Sequence, residues 1–121
     1  MALVSEAERK DIEELYAAFN RRDIDAVIEH LAGDVHWANG MEGGYVDGAQ
    51  AVREYWTRQF EVIQSRVEPE HIRRLDDGRI AVDVHQVVRA TTSSELLADH
   101  HVAHIFTFRD GEITTFDIDP Q

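Results

Sequence analysis

Cysteine, long apolar runs and an apolar N-terminal segment are all missing from this sequence. Without cysteine the chain forms no disulfides and offers neither thiolate metal ligands nor a cysteine nucleophile. A membrane-spanning helix needs about 20 consecutive apolar residues, and residues 1–10 lack the apolar centre of a signal peptide. These absences predict a cytoplasmic protein that does not enter a membrane.

Basic side chains are half as numerous as acidic ones. The chain has 12 Lys and Arg against 24 Asp and Glu, so its formal net charge is -12. Phosphate backbones and anionic lipid surfaces repel a chain with this balance. We therefore expect neither nucleic acid nor membranes as partners.

The length of 121 residues suits a single domain over residues 1–121. A domain of this size buries roughly two-thirds of the surface that its unfolded chain exposes. It can hold an apolar core and still leave room for a cavity.

Helical periodicity in the first half predicts a helical hairpin. Ser5 and Glu8 have the spacing of a capping box, so the first helix begins there. Its apolar face consists of Ile12, Leu15, Tyr16 and Phe19. A second helix begins at Asp23 or Asp25 and ends at Leu31, where Gly33 follows.

A short aromatic strand, residues 35–39, leads from this hairpin towards a third helix after Gly48, and Pro69 ends helical continuity. The pattern then changes to alternating and β-branched residues. It predicts strands over 79–92, 100–109 and 112–119, the last two joined by a tight turn. Three helices, one inserted strand and an antiparallel meander make a single α+β domain.

Four segments together resemble the SnoaL-like and ketosteroid-isomerase-like branch of the nuclear transport factor 2-like superfamily. They are LYAAFNRRDIDAVIEHL (15–31), DVHW (34–37), DGAQAVREYW (47–56) and FTFRDGEI (106–113). The resemblance covers nearly the whole chain. It implies a cystatin-like α+β barrel, in which a cone-shaped, curved antiparallel sheet wraps three helices around an apolar pocket, frequently as a homodimer. It implies no single reaction, because the superfamily includes isomerases, cyclases, dehydratases, epoxide hydrolases and non-catalytic binders.

Ketosteroid isomerases need a carboxylate base that faces an oxyanion hole built from a tyrosine and a protonated aspartate. A gapless comparison puts Leu15 at the tyrosine position, Asn39 at the base position and His104 at the aspartate position. Trp56 takes the place of a pocket tyrosine. Because an amide is not a useful base near neutral pH, we do not expect a standard ketosteroid isomerase.

His104 is instead the candidate acid or base, since a histidine exchanges protons near neutral pH. Asn39 is a candidate hydrogen-bond donor to a substrate carbonyl or oxyanion. The candidate substrate-binding residues are Tyr16, Trp37, Trp56, Phe60, His85, Phe106, Phe108 and Phe116. The structural alternatives are a hydrogen-bonded histidine in the sheet, an amide that caps a strand end, and aromatics that pack the core.

Asp83 is the candidate carboxylate to orient His104, and strand register decides the pairing. With a hairpin turn centred between Ser94 and Glu95, His104 lies opposite His85 and shares a face with Asp83. A one-residue slip puts Asp83 and His85 on the other face. The more apolar side of the strand favours the slip, unless a dimer interface uses that side. This side consists of Ile80, Val82, Val84 and Val88.

Histidines 100, 101 and 104 raise the question of a metal. On a strand His101 points away from the other two, which are then about 13 Å apart. A zinc or iron site would need His85, His36 or a carboxylate from a neighbouring strand. We expect no metal and no other cofactor.

Two functions remain open. One is acid/base catalysis on a small apolar or polyketide-like molecule, of the isomerase, cyclase, dehydratase or epoxide hydrolase type. The other is a non-catalytic ligand-binding or dimerisation module. In both cases the expected partners are a small apolar organic ligand and a second copy of the chain, which binds through the sheet.

Overall fold

Nine regular elements make up the computed structural model, which describes residues 4–40 and 43–120. The helices are α1 (Glu6–Asn20), α2 (Ile24–Glu29) and α3 (Ala49–Val62). The strands are β1 (Leu31–Ala38), β2 (Tyr45–Asp47), β3 (Ile63–Arg74), β4 (Ile80–Ala90), β5 (Leu96–Arg109) and β6 (Glu112–Pro120). None of the helices in these residues is long and apolar enough to cross a membrane.

All six strands form one curved, unclosed sheet in the order β2-β1-β6-β5-β4-β3. Neighbouring strands are antiparallel except β1 and β6, which run parallel. The helices pack on the inner face of the sheet, so the predicted α+β fold is confirmed. The sheet keeps two edges, at β2 and β3.

The helical hairpin begins as predicted and ends earlier. The Ser5 side chain accepts a hydrogen bond from the Glu8 N–H at 3.1 Å, and the Glu8 carboxylate accepts one from the Ser5 N–H at 3.0 Å. The predicted helix end at Leu31 is wrong, because α2 stops at Glu29. The Ile113 N–H donates to the His30 carbonyl at 2.9 Å, and this contact draws the chain into the sheet.

The segment around Pro69 is a strand, which the sequence pattern did not predict. β3 begins at Ile63, directly after α3, and continues through a dense run of charges to Arg74. Proline is tolerated in edge strands and at bulges. β3 is an edge strand, and its register shifts between Pro69 and His71.

The β4–β5 register is shifted by three residues from the predicted one, an odd shift that turns the same side of β4 inwards as the one-residue slip. His104 lies opposite Val82, and Asp83 lies opposite Ala103. The apolar side of β4 therefore faces the helices, where Val82 and Val84 are fully buried. Because these valines lie in the core, they are not available to a dimer interface on the outer face.

A side-chain amide ties α1 to the open edge at β3. Asn20 Nδ2 donates to the Val67 carbonyl at 2.7 Å, and Asn20 Oδ1 accepts from the Val67 N–H at 2.9 Å. Both backbone groups of Val67 on the side away from β4 are thus satisfied, which covers part of the edge. The contact also holds the Tyr16 end of α1 against the sheet.

We expect Asn20→Ala to lower the free energy of unfolding by about 1–3 kcal/mol, because it leaves a partly buried backbone N–H and carbonyl without partners. Urea unfolding followed by circular dichroism measures the change. Arg21→Ala is the control, since its ion pair with Asp23 is exposed and such pairs contribute about 0–1 kcal/mol. Equal losses of unfolding free energy in the two variants would contradict a stabilising role for the Asn20–Val67 hydrogen bonds.

Candidate active site

A cavity of about 410 Å³ lies between the helices and the inner face of the sheet. This volume falls within the range of small-molecule sites. Its lining is mostly apolar, and among the described residues that form it there is no Asp, Glu, Lys or Arg. In a chain with 24 acidic and 12 basic residues, charge is thus kept out of this space.

Strand β5 runs along the cavity from its mouth to its inner end. Alternate residues face the space, and exposure falls along them: His100 is exposed, Val102 is 7% exposed, His104 is 6% exposed and Phe106 is 1% exposed. The exposed end of this row, at His100, is thus the mouth of the cavity, and the three buried residues line its inner part. His104 belongs to the inner part.

The main polar contact in the inner part joins α1 to β5. The Tyr16 hydroxyl oxygen lies 2.7 Å from His104 Nδ1, and the two rings are stacked 5.9 Å apart at an interplanar angle of 7°. Phe116 meets the His104 ring edge-on at 4.8 Å, and Phe106 meets the Tyr16 ring in the same way at 6.3 Å. Aromatic packing thus holds both polar side chains in place.

Both members of this pair are neutral at neutral pH. Burial, with a smaller contribution from His100, lowers the pKa of His104 to about 3, because a charged imidazolium is poorly solvated there. Burial also raises the pKa of Tyr16 well above its usual value. The hydroxyl therefore keeps its proton, and the neutral imidazole carries one proton, either on Nδ1 or on Nε2.

The predicted pairing of Asp83 with His104 is wrong. Asp83 lies on the outer face of the sheet, where Arg73 donates two hydrogen bonds to its carboxylate at 3.2 and 3.3 Å. His85 shares that face, contrary to its predicted place in the pocket. Its Nε2 lies 2.5 Å from Asp99 Oδ1, and its ring stacks on the His101 ring with the ring centres 4.6 Å apart. The physical reason is the register, which turns odd-numbered residues of this part of β4 outwards.

Asn39 lies just beyond the end of β1 and is half-buried. Its N–H donates to the Gly44 carbonyl at 2.9 Å, and its carbonyl accepts from the Gly43 N–H at 2.8 Å. The residues on either side of it, Ala38 and Gly40, line the cavity, whereas Asn39 does not. This placement is closer to the strand-end alternative than to a donor inside the pocket.

Most of the predicted aromatic walls do line the cavity: Tyr16, Trp37, Trp56, Phe106 and Phe116. Phe60 and Phe108 do not. Phe60 lies behind Trp56, with ring centres 5.3 Å apart. Phe108 packs against the core beyond Phe106, next to a register shift in β5.

The hydroxyl in the site comes from Tyr16, the neighbour of Leu15, which the family comparison put at the tyrosine position. Leu15 also lines the cavity. Since a helix advances by about 100° per residue, neighbouring residues at the edge of one face can both reach the same space.

Sequence reasoning missed Gln86 and considered His100 only as a metal ligand. Both residues line the mouth of the cavity. They are direct neighbours across β4 and β5. The sequence does show each of them as a polar residue on an otherwise apolar strand face. Only the correct register shows that the two are adjacent. Tyr55 of α3 also lines the cavity.

No group of three or more histidine or carboxylate side chains in the described part of the chain is placed to hold a metal ion. His36, considered as a metal ligand above, is exposed. Its Nδ1 lies 2.5 Å from Asp47 Oδ1, and its ring stacks on the Tyr45 ring. His85 is paired with Asp99, as described above.

Comparison with known proteins gives one family. The SnoaL-like domain model matches residues 12–116, which is most of the chain. No curated protein sequence matches significantly.

Solved structures similar to this chain share its whole architecture. A nuclear transport factor 2-like protein of unknown function from Burkholderia pseudomallei is 27% identical, with 97% of this chain and 92% of that chain covered and a TM-score of 0.82. TerC, co-crystallized with polyporic acid, is 24% identical, with 96% and 92% covered and a TM-score of 0.80. A proposed polyketide cyclase from Xanthomonas campestris pv. campestris is 21% identical, with 93% and 89% covered and a TM-score of 0.82. The last two likenesses show the fold alone.

Proposed function

Because this chain belongs to the SnoaL-like domain family, we propose that it is an enzyme of the isomerase or cyclase type that transfers a proton on a small, uncharged carbonyl compound. One observation carries the proposal: the hydrogen-bonded Tyr16–His104 pair forms part of the wall of an apolar cavity without charged lining. The similar fold of a proposed polyketide cyclase and of TerC with its small-molecule ligand supports it.

His104 acts as a neutral hydrogen-bond donor in this proposal. The Tyr16 hydroxyl, which burial keeps protonated, donates to Nδ1, so the single proton of the neutral imidazole resides on Nε2. A substrate carbonyl oxygen in the cavity accepts that proton in a hydrogen bond. Neutral imidazole serves as an electrophile in other enzymes, and one donor to a developing oxyanion contributes about 10²–10³ in rate.

The absence of a charged base in the described cavity wall defines the substrate chemistry. A proton on carbon must then be weakly held, as it is between the two carbonyl groups of a 1,3-dicarbonyl compound. That proton leaves to a water molecule that enters the open cavity beside the substrate, and the C–H electron pair forms the enolate, whose oxygen His104 Nε2–H stabilises. Return of a proton to oxygen or carbon completes a tautomerisation, and attack of the enolate carbon on a second carbonyl completes a cyclisation.

Keto–enol interconversion of benzoylacetone, a 1,3-dicarbonyl compound that absorbs in the ultraviolet in its enol form, tests the proposal. We expect the protein at micromolar concentration to accelerate relaxation of this probe after a jump from organic solvent into buffer. An unchanged relaxation rate for benzoylacetone would overturn the proposal.

A second function, ligand binding without turnover, is favoured by one observation. The pKa of about 3 for His104 makes this residue a poor base, and the described cavity lining contains no carboxylate to replace it. A non-catalytic binder predicts that benzoylacetone binds and quenches tryptophan fluorescence from Trp37 and Trp56 without any change in the relaxation rate. The same experiment therefore separates the two functions.

A further inference from the structure

The mouth of the cavity carries a second polar group, a hydrogen-bonded row that crosses three strands. His100 Nε2 lies 3.1 Å from Gln86 Oε1, and Gln86 Nε2 donates to Ser65 Oγ at 2.9 Å. Ser65, on β3, is buried, with 6% of its surface exposed. It therefore fixes the end of the row that lies farthest from His100. We call these three side chains the mouth row.

The mouth row orients the His100 ring. The amide nitrogen of Gln86 donates its hydrogen bond to Ser65, so the amide oxygen points towards His100. An amide oxygen only accepts hydrogen bonds, so the facing nitrogen of His100 must be the donor. His100 therefore carries a proton on Nε2, and in its neutral form Nδ1 remains as an acceptor. No hydrogen bond to Nδ1 comes from the part of the chain that the structure describes. His100 lines the cavity, so this acceptor is available to a ligand.

The two polar groups are separated along one face of β5. His100 and His104 are four residues apart on this strand, which places their Cα atoms about 13 Å apart. Between them the same face presents Val102, and Ile118 of β6 lies opposite His104. The cavity thus has a donor at its inner end, an acceptor at its mouth and apolar walls between.

We propose that the ligand is an elongated, uncharged molecule of two or three fused rings, with a carbonyl at one end for His104 and a hydroxyl at the other for His100. This inference rests on the proposed function, which places the carbonyl at His104. The hydroxyl donates its proton to His100 Nδ1, and the ring system fills the apolar middle. Gln86 is a positioning residue, since it acts on the ligand only through the His100 ring.

A pair of probes tests the second anchor: 2-tetralone carries the carbonyl alone, and 6-hydroxy-2-tetralone adds a hydroxyl at the far end. Their dissociation constants can be measured by isothermal titration calorimetry at pH 8. We expect the wild-type protein to bind the hydroxylated probe roughly 3- to 10-fold more tightly, the usual contribution of one net hydrogen bond. His100→Leu should remove this preference, so that the two probes bind this variant with equal affinity.

Two further variants complete the design. Gln86→Leu should reduce the preference for the hydroxylated probe without abolishing binding, since the ring of His100 is then free to turn. His101→Leu, the same substitution one residue along on the outer face, should change neither dissociation constant.

The outcomes distinguish this inference from the proposed function. Equal affinities of the wild-type protein for the two probes, or a preference that survives in His100→Leu, would overturn the mouth anchor while leaving the proposed function intact. Failure of both probes to bind, or equal binding of 2-tetralone by wild type and His104→Leu, would overturn the carbonyl site itself.

Discussion

Replacing His104 by leucine should slow the relaxation of benzoylacetone by about 10²–10³-fold, which corresponds to about 3–4 kcal/mol of transition-state stabilisation. The substitution removes the Nε2–H donor from the cavity wall and keeps an apolar side chain of similar size. Tyr16→Phe should have a smaller effect, because it leaves the donor in place and removes only the hydroxyl that holds the proton on Nε2. Stopped-flow ultraviolet absorbance measures all three rates.

His101→Leu is the matched control for this experiment. It makes the same change on the same strand, but His101 lies on the outer face, where its ring faces Glu70 at 3.0 Å. Its relaxation rate should equal that of the wild-type protein. A His104→Leu variant that is folded and as fast as the control would contradict the role of His104 as the donor.

Acid should destabilise the protein through His104. The pKa of this residue is about 3 in the folded state, against about 6.5 in an unfolded chain. The unfolded state therefore binds more protons between these values, and the folded state loses stability as pH falls from about 6.5 towards 3. The slope approaches 1.4 kcal/mol per pH unit, so the contribution reaches about 2 kcal/mol at pH 5.

Urea unfolding at pH 7, 6 and 5 measures this contribution by difference. His104→Leu is expected to be less stable than the wild type at pH 7, because the buried Tyr16 hydroxyl loses its partner. Between pH 7 and pH 5, however, it should lose about 2 kcal/mol less than the wild type. Parallel curves for wild type and His104→Leu would show that the buried ring accepts a proton without cost.

Local signals explain why so much of the fold was predictable. The capping box of Ser5 and Glu8 defines the start of α1 without any tertiary contact. Asp110 and Gly111 both adopt positive φ angles, 54° and 82°, as the tight hairpin between β5 and β6 requires. Sequence neighbours decide such features, so the sequence shows them directly.

β3 escaped prediction because its signals are those of an edge. Charged residues and Pro69 are features that protect exposed strand edges from unwanted pairing. In the sequence the same features resemble a hydrated loop. Only its pairing with β4 and the hydrogen bonds from the Asn20 side chain to Val67 identify the segment as a strand.

The site depended on register, which the sequence left open. The β4–β5 hairpin contains a register shift between Val88 and Arg89, and Ser94 in its loop has a positive φ of 61°. These details reverse the face of Asp83 and bring Gln86 beside His100. His104 could be chosen from the sequence as the polar residue of an apolar strand, but its partner Tyr16, 88 residues away, could not. That contact needs both the helix rotation and the register.

The protonation of His104 across the pH range tests the central claim most directly. Two-dimensional ¹H–¹⁵N correlation of the imidazole nitrogens, with His104→Leu for assignment, distinguishes the two neutral tautomers from the cation. We predict a neutral ring from pH 8 down to about pH 4, since its pKa is about 3, with the proton on Nε2 throughout. A ring that titrates near pH 6.5, or one that carries its proton on Nδ1, would contradict a neutral Tyr16–His104 pair that presents a donor to the cavity.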